Sequence, residues 1–353
     1  MKILIIRFRQ IGDSVLTLAL CSSLRASFDN AEIHLVLNKS IASLFDNHPN
    51  IDKIITFDKS ETSGFSYIKK VWKTMHENHY DIIIDMRSTI KTSLFSLFSL
   101  HTDFRIGRKK WYNLFIHNHR IENKNTHDKL DKIGKNLMLL SPLEKKYHVK
   151  YSRNFNLSIS AHENAAFKNY MIQNGVDFSR PVILAAVASK LLHKMWNINR
   201  MTEILHRILD NYDVQIILNY VPGHEEKIAH EIYEKLNHNK NIFIDINAGS
   251  LRGLASLCSF CTLFFGNEGG TRHIAHAVDV PSFCIISPDV KKSVWLPQND
   301  IEAIGISVDD LDEQTSQKNK NLTYQQLYDL ITVDVVWEQL NPMLEKYLKN
   351  NKL

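Results

Sequence analysis

A glycine turn that follows an apolar segment has the residue types of a phosphate-binding site. The short apolar run 263–265 predicts a strand buried on both faces, and the glycine-rich turn 266–270 follows it. Its glycines would let another molecule approach the backbone, and Thr271 could cap the next helix. A strand, a glycine turn and a helix N-terminus together favour a bound phosphate, with Glu268 and His273 beside it. The alternative is an ordinary turn that binds nothing.

Two further groups of charged residues lie where a parallel sheet would bind ligands. The apolar run 2–8 predicts a first strand, and Asp13 lies in the loop that follows it; a later buried strand ends at the pair Asp85 and Arg87. Ligands of such sheets bind at the carboxyl ends of the strands. Asp13 could therefore act on a substrate, or it could simply cap the helix predicted over residues 14–28.

A basic region lies near the middle of the chain. Residues 101–150 contain 12 Lys and Arg against 5 Asp and Glu, a local charge of +7 in a chain whose net charge is +5. This charge favours an anionic partner, such as nucleic acid, a phosphorylated glycolipid or a membrane surface. No RNA-binding signature is present, and residues 104–112 mix basic and aromatic side chains in a way that suits a phosphorylated sugar or a lipid head group. A solvated loop region is the alternative.

The elements that must position these groups alternate between strands and helices. The 353 residues, 44% hydrophobic and 23% charged, are enough for two globular domains. The apolar patterns predict strands at 2–8, 32–37, 51–56, 81–85, 181–187, 214–219, 242–244, 263–265 and 280–286, and helices at 14–28, 69–79, 162–174, 199–210, 224–237 and 251–258. Such alternation predicts an α/β fold of two doubly wound, Rossmann-like domains that face each other across a cleft.

A change of composition between residues 151 and 160 marks the expected domain boundary. The domains are therefore predicted as 1–155 and 156–332, and the helical stretch that opens the remainder, 333–353, is expected to pack back on the first domain.

Several functional classes are not expected from this sequence. Neither half has a GxGxxG turn after its first strand or a P-loop, so a nicotinamide dehydrogenase and a P-loop NTPase are not expected. No apolar run approaches the roughly 18 residues of a membrane span, and the first residues predict a strand instead of a signal peptide. The four cysteines lie in apolar contexts, and the pair Cys258 and Cys261 lacks a second pair of metal ligands nearby. We therefore expect buried thiols and a cytoplasmic protein.

Motifs that occur in order along nearly the whole chain resemble those of one family. They are RQIGDS and LT at residues 9–14 and 16–17, KMW at 194–196, GHE at 223–225, GSLRGLA at 249–255 and EGGTRHIA at 268–275. They are similar to the motifs R-x-x-x-G-D-x-x-L-T, K-x-W-P, G-x-x-E and D-[ST]-G-x-x-H-x-A of glycosyltransferase family 9, the ADP-heptose:lipopolysaccharide heptosyltransferases. The resemblance implies an inverting enzyme of the GT-B architecture.

The resemblance also implies roles for particular residues. Asp13 would be the base that takes the proton of the acceptor hydroxyl while the sugar–phosphate bond breaks. Cations and backbone amides would face the leaving diphosphate of a nucleotide sugar, expected to be ADP-heptose. The expected donor-binding residues are Ser189, Lys194, Glu225, Gly249, Glu268, Gly269, Gly270, Thr271 and His273. Lys194 could instead be a surface lysine, and His273 a histidine satisfied within the first helical turn.

The acceptor implied by the resemblance is the phosphorylated lipid A–core of lipopolysaccharide. The residues expected to bind it are Arg9, Arg105, Arg108, Lys109 and Arg120. The enzyme would then work in the cytoplasm, with peripheral contact to the inner-membrane surface, and without nucleic acid. No metal or other cofactor is expected, because the sequence has no DxD pair and no His/Cys cluster.

The sequence departs from the family pattern on the donor side. Asn197 replaces a proline, residues 185–190 lack the usual threonine-rich loop, and Glu268-Gly269 stands where Asp followed by Ser or Thr is usual. These changes concern the sugar and the nucleobase. The alternatives are a family member that uses another nucleotide sugar, a nucleotide-sugar epimerase, and a non-catalytic nucleotide or membrane-surface binder.

Overall fold

The chain divides into two structural units. The computed structural model describes residues 1–122, 130–311 and 322–349. Contacts between residues separate Met1–Ser158 from Ile159–Leu353. This division lies close to the boundary expected between residues 155 and 156.

The first unit is built on a parallel sheet. Its described strands are β1 Lys2–Ile6, β2 Glu32–Asn38, β3 Lys53–Phe57, β4 Ile82–Asp85, β5 Phe104–Arg108 and β6 His119–Ile121. They pair in the order β3-β2-β1-β4-β5-β6, with Ile5 of β1 level with Leu35 of β2 and Ile84 of β4. The apolar runs of β1 and β4 are buried throughout or nearly so, as expected where helices cover both faces. The strand order reverses between β1 and β4, which is where such sheets bind ligands.

Helices and short 3₁₀ turns connect these strands. The described helices of the first unit are α1 Ile11–Val15, α2 Leu18–Ser27, α3 Lys39–Ala42, α4 Gly64–His76, α5 Ile90–Leu97 and α6 Lys132–Leu137. The 3₁₀ turns are Ser43–Phe45, Lys59–Glu61, Trp111–Asn113 and Met138–Lys145. The prediction of one continuous helix over residues 14–28 is wrong, because the chain forms two separate helices there, α1 and α2. The carbonyl of Asp13 accepts hydrogen bonds from the side chains of Arg7 and Thr17, while the Thr17 N–H donates to the Ser14 carbonyl three residues back. The regular pattern of α-helical hydrogen bonds is interrupted at this point.

The second unit repeats this plan. Its described strands are β7 Val182–Ala186, β8 Gln215–Leu218, β9 Ile242–Phe243, β10 Leu263–Asn267, β11 Ser282–Ile285 and β12 Ala303–Ile306. They form a parallel sheet in the order β12-β11-β10-β7-β8-β9. Numbered from β7, this is the same Rossmann order as in the first unit, and it reverses between β7 and β10.

Eight helices of the second unit lie in the described part of the chain. They are α7 Ala161–Gln173, α8 Ile198–Asn211, α9 His224–Lys235, α10 Leu251–Ser259, α11 Gly270–His276, α12 Lys292–Trp295, α13 Tyr324–Tyr328 and α14 Val333–Lys349, with 3₁₀ turns at Leu192–Lys194 and Val308–Asp310. The amphipathic α8 buries Met201, Ile204, Leu205 and Ile208 against the sheet.

The last helix packs on its own unit. Val336, Leu340 and Leu344 of α14 are fully buried in the core of the second unit, and α14 contacts α8. The expectation that residues 333–353 pack back on the first domain is therefore wrong for the described part of this segment, because burial of this apolar face holds α14 beside α8. Residues 350–353 of that prediction lie outside the described residues.

Three whole-chain features bear on function. No helix in the described ranges is long and apolar enough to cross a membrane. The same ranges contain no group of three or more His, Cys, Asp or Glu side chains arranged to hold a metal ion. All four cysteines are buried and unpaired, and burial raises the pKa of the Cys284 thiol to about 11. These thiols are protonated at neutral pH and belong to the cores of their units.

Candidate active site

A carboxylate surrounded by cations lies at the carboxyl end of β1. Asp13 sits in α1 with 7% of its surface exposed. Its Oδ1 accepts a hydrogen bond of 2.7 Å from Arg7 Nη2, and Lys132 Nζ lies 3.3 Å from the same oxygen. Arg9 Nε lies 3.3 Å from Oδ2. Gln10 occupies the N-cap position of α1, so Asp13 does not have the capping role that was the alternative.

The charges around Asp13 do not balance. Burial lowers the pKa of Arg7 to about 10; Asp13 opposes this effect, and Arg9 and Arg108 add to it. Burial also lowers the pKa of Lys132, again against the attraction of Asp13. Three cations thus lie beside one carboxylate, and their excess positive charge favours binding of a second anion.

Two cavities lie in the first unit, where β1 and β4 end. The first, of about 300 Å³, is called the basic cavity here and is lined by Arg7, Arg9, Met86, Arg87, Thr89, Arg108, Lys110, Tyr112, Lys132 and Asn136. The second, of about 380 Å³, is called the hydroxyl-lined cavity and is lined by Phe8, Arg9, Gln10, Asn38, Thr62, Tyr67, Arg87, Thr89, Lys91 and Thr92. The two share Arg9, Arg87 and Thr89. Their linings suit an anionic group in one cavity and a hydroxyl-bearing group in the other.

Two of the five residues expected to bind the acceptor line the basic cavity. Arg9 has 45% of its side chain exposed beside Asp13. Arg108, at the end of β5, is half-buried and donates a hydrogen bond of 2.7 Å from Nη2 to the Lys135 carbonyl. Burial lowers the pKa of Arg108. The structure thus brings Arg9 and Arg108 together with Asp13.

The other three residues are placed differently. Arg105 is buried, and its guanidinium donates to the carbonyls of three residues, Leu100, Thr102 and Ile116, which gives it a structural role. Lys109 Nζ pairs with Glu122 at 2.5 Å, and Arg120 is half-buried on β6. Neither Lys109 nor Arg120 lines the two cavities.

The sequence reasoning missed other cations of the basic cavity. Arg7 lies in what reads as a buried apolar strand, and Lys132 is distant from Asp13 in sequence. In the sequence, Arg87 stands out only as a neighbour of Asp85, and Lys110 only as part of a basic stretch. A signal was present for Arg7, because a charged residue is rarely buried in a strand without a partner.

The strand order of the second sheet reverses between β7 and β10, and the residues expected to bind the donor lie near this point. Asn267, the last residue of β10, connects the segments that meet there. Its Nδ2 donates to the carbonyls of Ala186 and Val187 after β7, and its Oδ1 accepts the Trp196 N–H at 2.8 Å. Gly266 has φ of +135°, and a Cβ there would lie 2.3 Å from the Ala186 carbonyl oxygen, so a glycine is required. The two segments expected to bind the donor are therefore held against each other.

Lys194 meets two carboxylates at this point. Its Nζ lies 3.0 Å from Asp289 Oδ2 and 4.0 Å from Glu268 Oε1. Burial raises the pKa of Glu268, while Lys194 and Arg272 lower it and Asp289 raises it further. Asp289, which follows β11, was not selected from the sequence. Lys194 and Glu268 are thus brought together as expected, with an unexpected counter-ion.

The glycine turn leads into α11 as predicted, but two residues earlier than expected, so Thr271 lies within the helix and does not cap it. Gly269 is the N-cap residue, with extended backbone and open space where a side chain would project. Thr271 Oγ1 lies 3.4 Å from Asn219 Nδ2, beyond the end of β8. His273 is buried against Trp295, with the rings 5.7 Å apart, and within reach of Arg272.

The remaining expected donor residues lie in neighbouring loops. Glu225, in the first turn of α9, accepts the Val221 N–H at 3.2 Å. Gly249 has φ of +65° and donates its N–H to Asn247 before α10. Ser189 is half-buried in the loop after β7. These three follow β8, β9 and β7, and none of them shares a described contact with Lys194 or Glu268.

The two parallel six-stranded sheets define a protein of two Rossmann-like domains. The family model for glycosyltransferase family 9 (heptosyltransferase) matches residues 68–321. The match covers well over half of the chain, and the chain therefore belongs to glycosyltransferase family 9.

Two relatives share this similarity. The chain is 20% identical over 286 residues to lipopolysaccharide heptosyltransferase 1 of Campylobacter coli. This alignment covers 81% of the chain and 83% of the relative. It is 25% identical over 286 residues to the lipopolysaccharide core heptosyltransferase OpsX of Haemophilus influenzae, covering 78% and 76%.

Solved structures show the same fold. The glycosyl transferase family 9 structure from Veillonella parvula matches with a TM-score of 0.80 at 17% identity, over 98% of this chain and 97% of that one. The E. coli ADP-heptose lipopolysaccharide heptosyltransferase II matches with a TM-score of 0.74 at 19% identity, over 98% and 99%. The expected GT-B fold class is confirmed.

Proposed function

We propose that this glycosyltransferase moves heptose from ADP-heptose to the phosphorylated inner core of lipopolysaccharide, with inversion at the anomeric carbon. The names of the two relatives, both lipopolysaccharide heptosyltransferases, support the sugar and the acceptor. The E. coli structure, an ADP-heptose enzyme, supports the donor. Because the acceptor is a lipid, the reaction takes place at a membrane surface, which we propose is the cytoplasmic face of the inner membrane.

The observation that carries the proposal is the buried Asp13 carboxylate beside a basic cavity. Its Oδ1 is held by Arg7 and Lys132, so the proton of the acceptor hydroxyl is taken at Oδ2, where Arg9 is the neighbour. The acceptor oxygen forms its bond to the anomeric carbon while the bond from that carbon to the diphosphate oxygen breaks. A basic cavity next to the base suits an acceptor that carries an anion near the reacting hydroxyl.

The second unit provides groups for the leaving diphosphate. Lys194 Nζ and the Thr271 hydroxyl are the proposed donors to its oxygens, because negative charge develops there as the bond breaks. The carboxylate of Glu225 is proposed to accept hydrogen bonds from ribose, and that of Glu268 from sugar hydroxyls. We propose that no metal ion takes part, since Lys194 and backbone amides can balance the charge.

Replacing the base tests the proposal. Asp13→Asn should lower the rate of heptose transfer about 10²- to 10⁴-fold, the usual contribution of a general base, while the affinity for ADP stays the same. Asp103→Asn is the matched control, because Asp103 is an exposed carboxylate of the same unit that pairs only with Lys146 among the described side chains. Melting temperatures of both variants show whether they fold. An Asp13→Asn enzyme with wild-type transfer would refute the assignment.

The donor is tested separately by ligand binding. ADP-heptose and ADP should raise the melting temperature of the protein more than UDP-, GDP- or dTDP-sugars, since a ligand stabilises the native state according to its affinity. A larger shift with another nucleotide sugar would overturn the choice of donor and leave the reaction class intact.

A further inference from the structure

The turn that follows β4 is built around a buried carboxylate. Asp85 is fully buried, and its Oδ1 accepts the N–H groups of Arg87 at 3.0 Å and of Ser88 at 2.8 Å. These two hydrogen bonds fold the chain sharply as it leaves the sheet. The direction in which Arg87 leaves the turn is therefore set by Asp85.

A buried histidine faces the other oxygen of this carboxylate. His117 Nε2 lies 3.6 Å from Asp85 Oδ2, and His117 is fully buried as well. Within the described ranges, Asp85 Oδ2 and His117 Nδ1 have no hydrogen-bond partner. Gly107 makes room for the histidine, because a Cβ there would lie 2.6 Å from its ring. Burying such incompletely paired groups costs free energy, and a functional role is one reason for a protein to retain them.

The backbone of the turn is strained and held in place. Ser88 has φ of +50°, a conformation that favours glycine. Its hydroxyl accepts the Arg108 N–H at 2.6 Å and its carbonyl accepts the Tyr112 hydroxyl at 2.7 Å. Both partners line the basic cavity. Strain that the surroundings hold in this way is typical of binding sites.

The residue that this turn presents is Arg87. Its side chain lines both the basic and the hydroxyl-lined cavities. Among the described residues, the Phe8 carbonyl is the one acceptor of its guanidinium, with Nη1 donating at 2.8 Å. Phe8 directly precedes Arg9, the residue beside Asp13 Oδ2. The guanidinium thus lies between the two cavities and near the proposed base, with donors left for a ligand.

From this geometry we infer that Arg87 binds an oxyanion of the acceptor, and that Asp85 and Ser88 are positioning residues that aim its guanidinium. The inference rests on the proposed function, since it assumes that the two cavities hold the acceptor. A planar guanidinium with several N–H donors suits a phosphate or a carboxylate. The hydroxyl-lined cavity on its other side would hold the sugar that carries this group.

Kinetics of Arg87→Gln test the binding role. Loss of a charge-assisted hydrogen bond should raise the KM for the acceptor about 10- to 100-fold, with the KM for the donor changed less than about twofold. The control is Arg25→Gln, an arginine of the same unit whose guanidinium, like that of Arg87, donates to a backbone carbonyl; it also pairs with Asp52, and it lines neither cavity. An unchanged acceptor KM in Arg87→Gln overturns the inference. With a dephosphorylated acceptor, the effect disappears if the oxyanion is a phosphate and persists if it is a carboxylate.

Double variants test the positioning role. Asp85→Asn keeps an oxygen for the two N–H groups but removes the charge that faces His117, and it should raise the acceptor KM in the same direction. Added to Arg87→Gln it should have little further effect, because both act through one guanidinium. Ser88→Gly tolerates the positive φ and removes the anchoring hydroxyl, so it serves if Asp85→Asn does not fold. Additive effects, or a fall in kcat alone, would refute the positioning role.

Inorganic phosphate separates this inference from the proposed function. Phosphate should raise the melting temperature of the wild-type protein and of Arg25→Gln more than that of Arg87→Gln. This measurement needs no sugar transfer. If the wild-type protein transfers no heptose but this difference is present, the proposed function fails and the anion site stands. If transfer occurs and the difference is absent, the anion site fails.

Discussion

The ion pair of Lys194 predicts an unusual gain in affinity. Lys194 Nζ lies 3.0 Å from Asp289 Oδ2, and Asp289 Oδ1 accepts hydrogen bonds from the hydroxyls of Ser287 and Tyr324. If Lys194 binds the diphosphate of the donor, that diphosphate must share the ammonium with Asp289 and bear its repulsion. Asp289→Asn keeps an oxygen for the two hydroxyls and removes the charge. We expect this variant to bind ADP more tightly than the wild-type protein does.

The distance and exposure of the pair set the size of the effect. Two unit charges 3.0 Å apart interact by about 1.4 kcal/mol in water and about 5.5 kcal/mol at an effective dielectric constant of about 20. The side chains of Lys194 and Asp289 are 21% and 48% exposed, so we expect their interaction energy to lie near the lower of these two values. A change of about 1 kcal/mol corresponds to about fivefold tighter binding.

Calorimetric titration with ADP and with adenosine measures this effect. The gain should be seen with ADP and not with adenosine, which lacks the diphosphate. Asp213→Asn is the matched control, because Asp213 is a more exposed carboxylate of the same unit that pairs with Arg180. Equal or weaker binding of ADP to Asp289→Asn would show that the counter-ion does not compete with the ligand.

Two predictions concern stability. Gly266→Ala should lower the free energy of unfolding by about 1–3 kcal/mol, because residue 266 has a φ of +135° and a Cβ there would lie 2.3 Å from the Ala186 carbonyl oxygen. Gly269→Ala is the control, since a Cβ there would project into open space and should change the free energy of unfolding little. Urea denaturation of both variants measures the difference, and equal stabilities would contradict the prediction. Burial lowers the pKa of His276 to about 4, whereas in the unfolded chain the pKa of a histidine is about 6.5. Between these two pH values the unfolded chain binds a proton that the folded protein does not, so the free energy of unfolding falls as the pH decreases from about 6.5 towards 4. The loss between pH 7 and pH 5 should be about 2 kcal/mol smaller in His276→Gln, and an equal loss would contradict the assignment.

The fold could be predicted from sequence where strands are continuous apolar runs. β1, β4, β7 and β10 are read directly from such runs, and their alternation with helices gave the fold class. β5 was missed because Arg105 and Arg108 interrupt its pattern. Burial of Arg105 depends on three carbonyls from outside the strand, which a local pattern does not contain.

The C-terminal helix was predicted as an element but placed wrongly. Its apolar positions show that α14 buries one face, and they do not show against which surface. The partner is α8, whose own amphipathic pattern covers one side of the second sheet and also meets α14. Pairing of two helices far apart in sequence is a property of the packed structure.

The charges around Asp13 also come from residues far apart in sequence, and their arrangement suggests how the site would work. Asp13 could be selected because it follows a strand at a ligand-binding edge, and the charge of Arg7 in an apolar run was a signal that it has a buried partner. Lys132 could not be selected, since its role depends on the fold. Arg7 and Lys132 hold Oδ1, whereas Arg9, with 45% of its side chain exposed, holds Oδ2 more weakly. An acceptor anion in the basic cavity would attract Arg9 away from Oδ2, because Arg9 also lines that cavity. If Asp13 is the base, binding of the correct anionic acceptor therefore exposes the oxygen that must take the proton, and a neutral acceptor would leave it occupied.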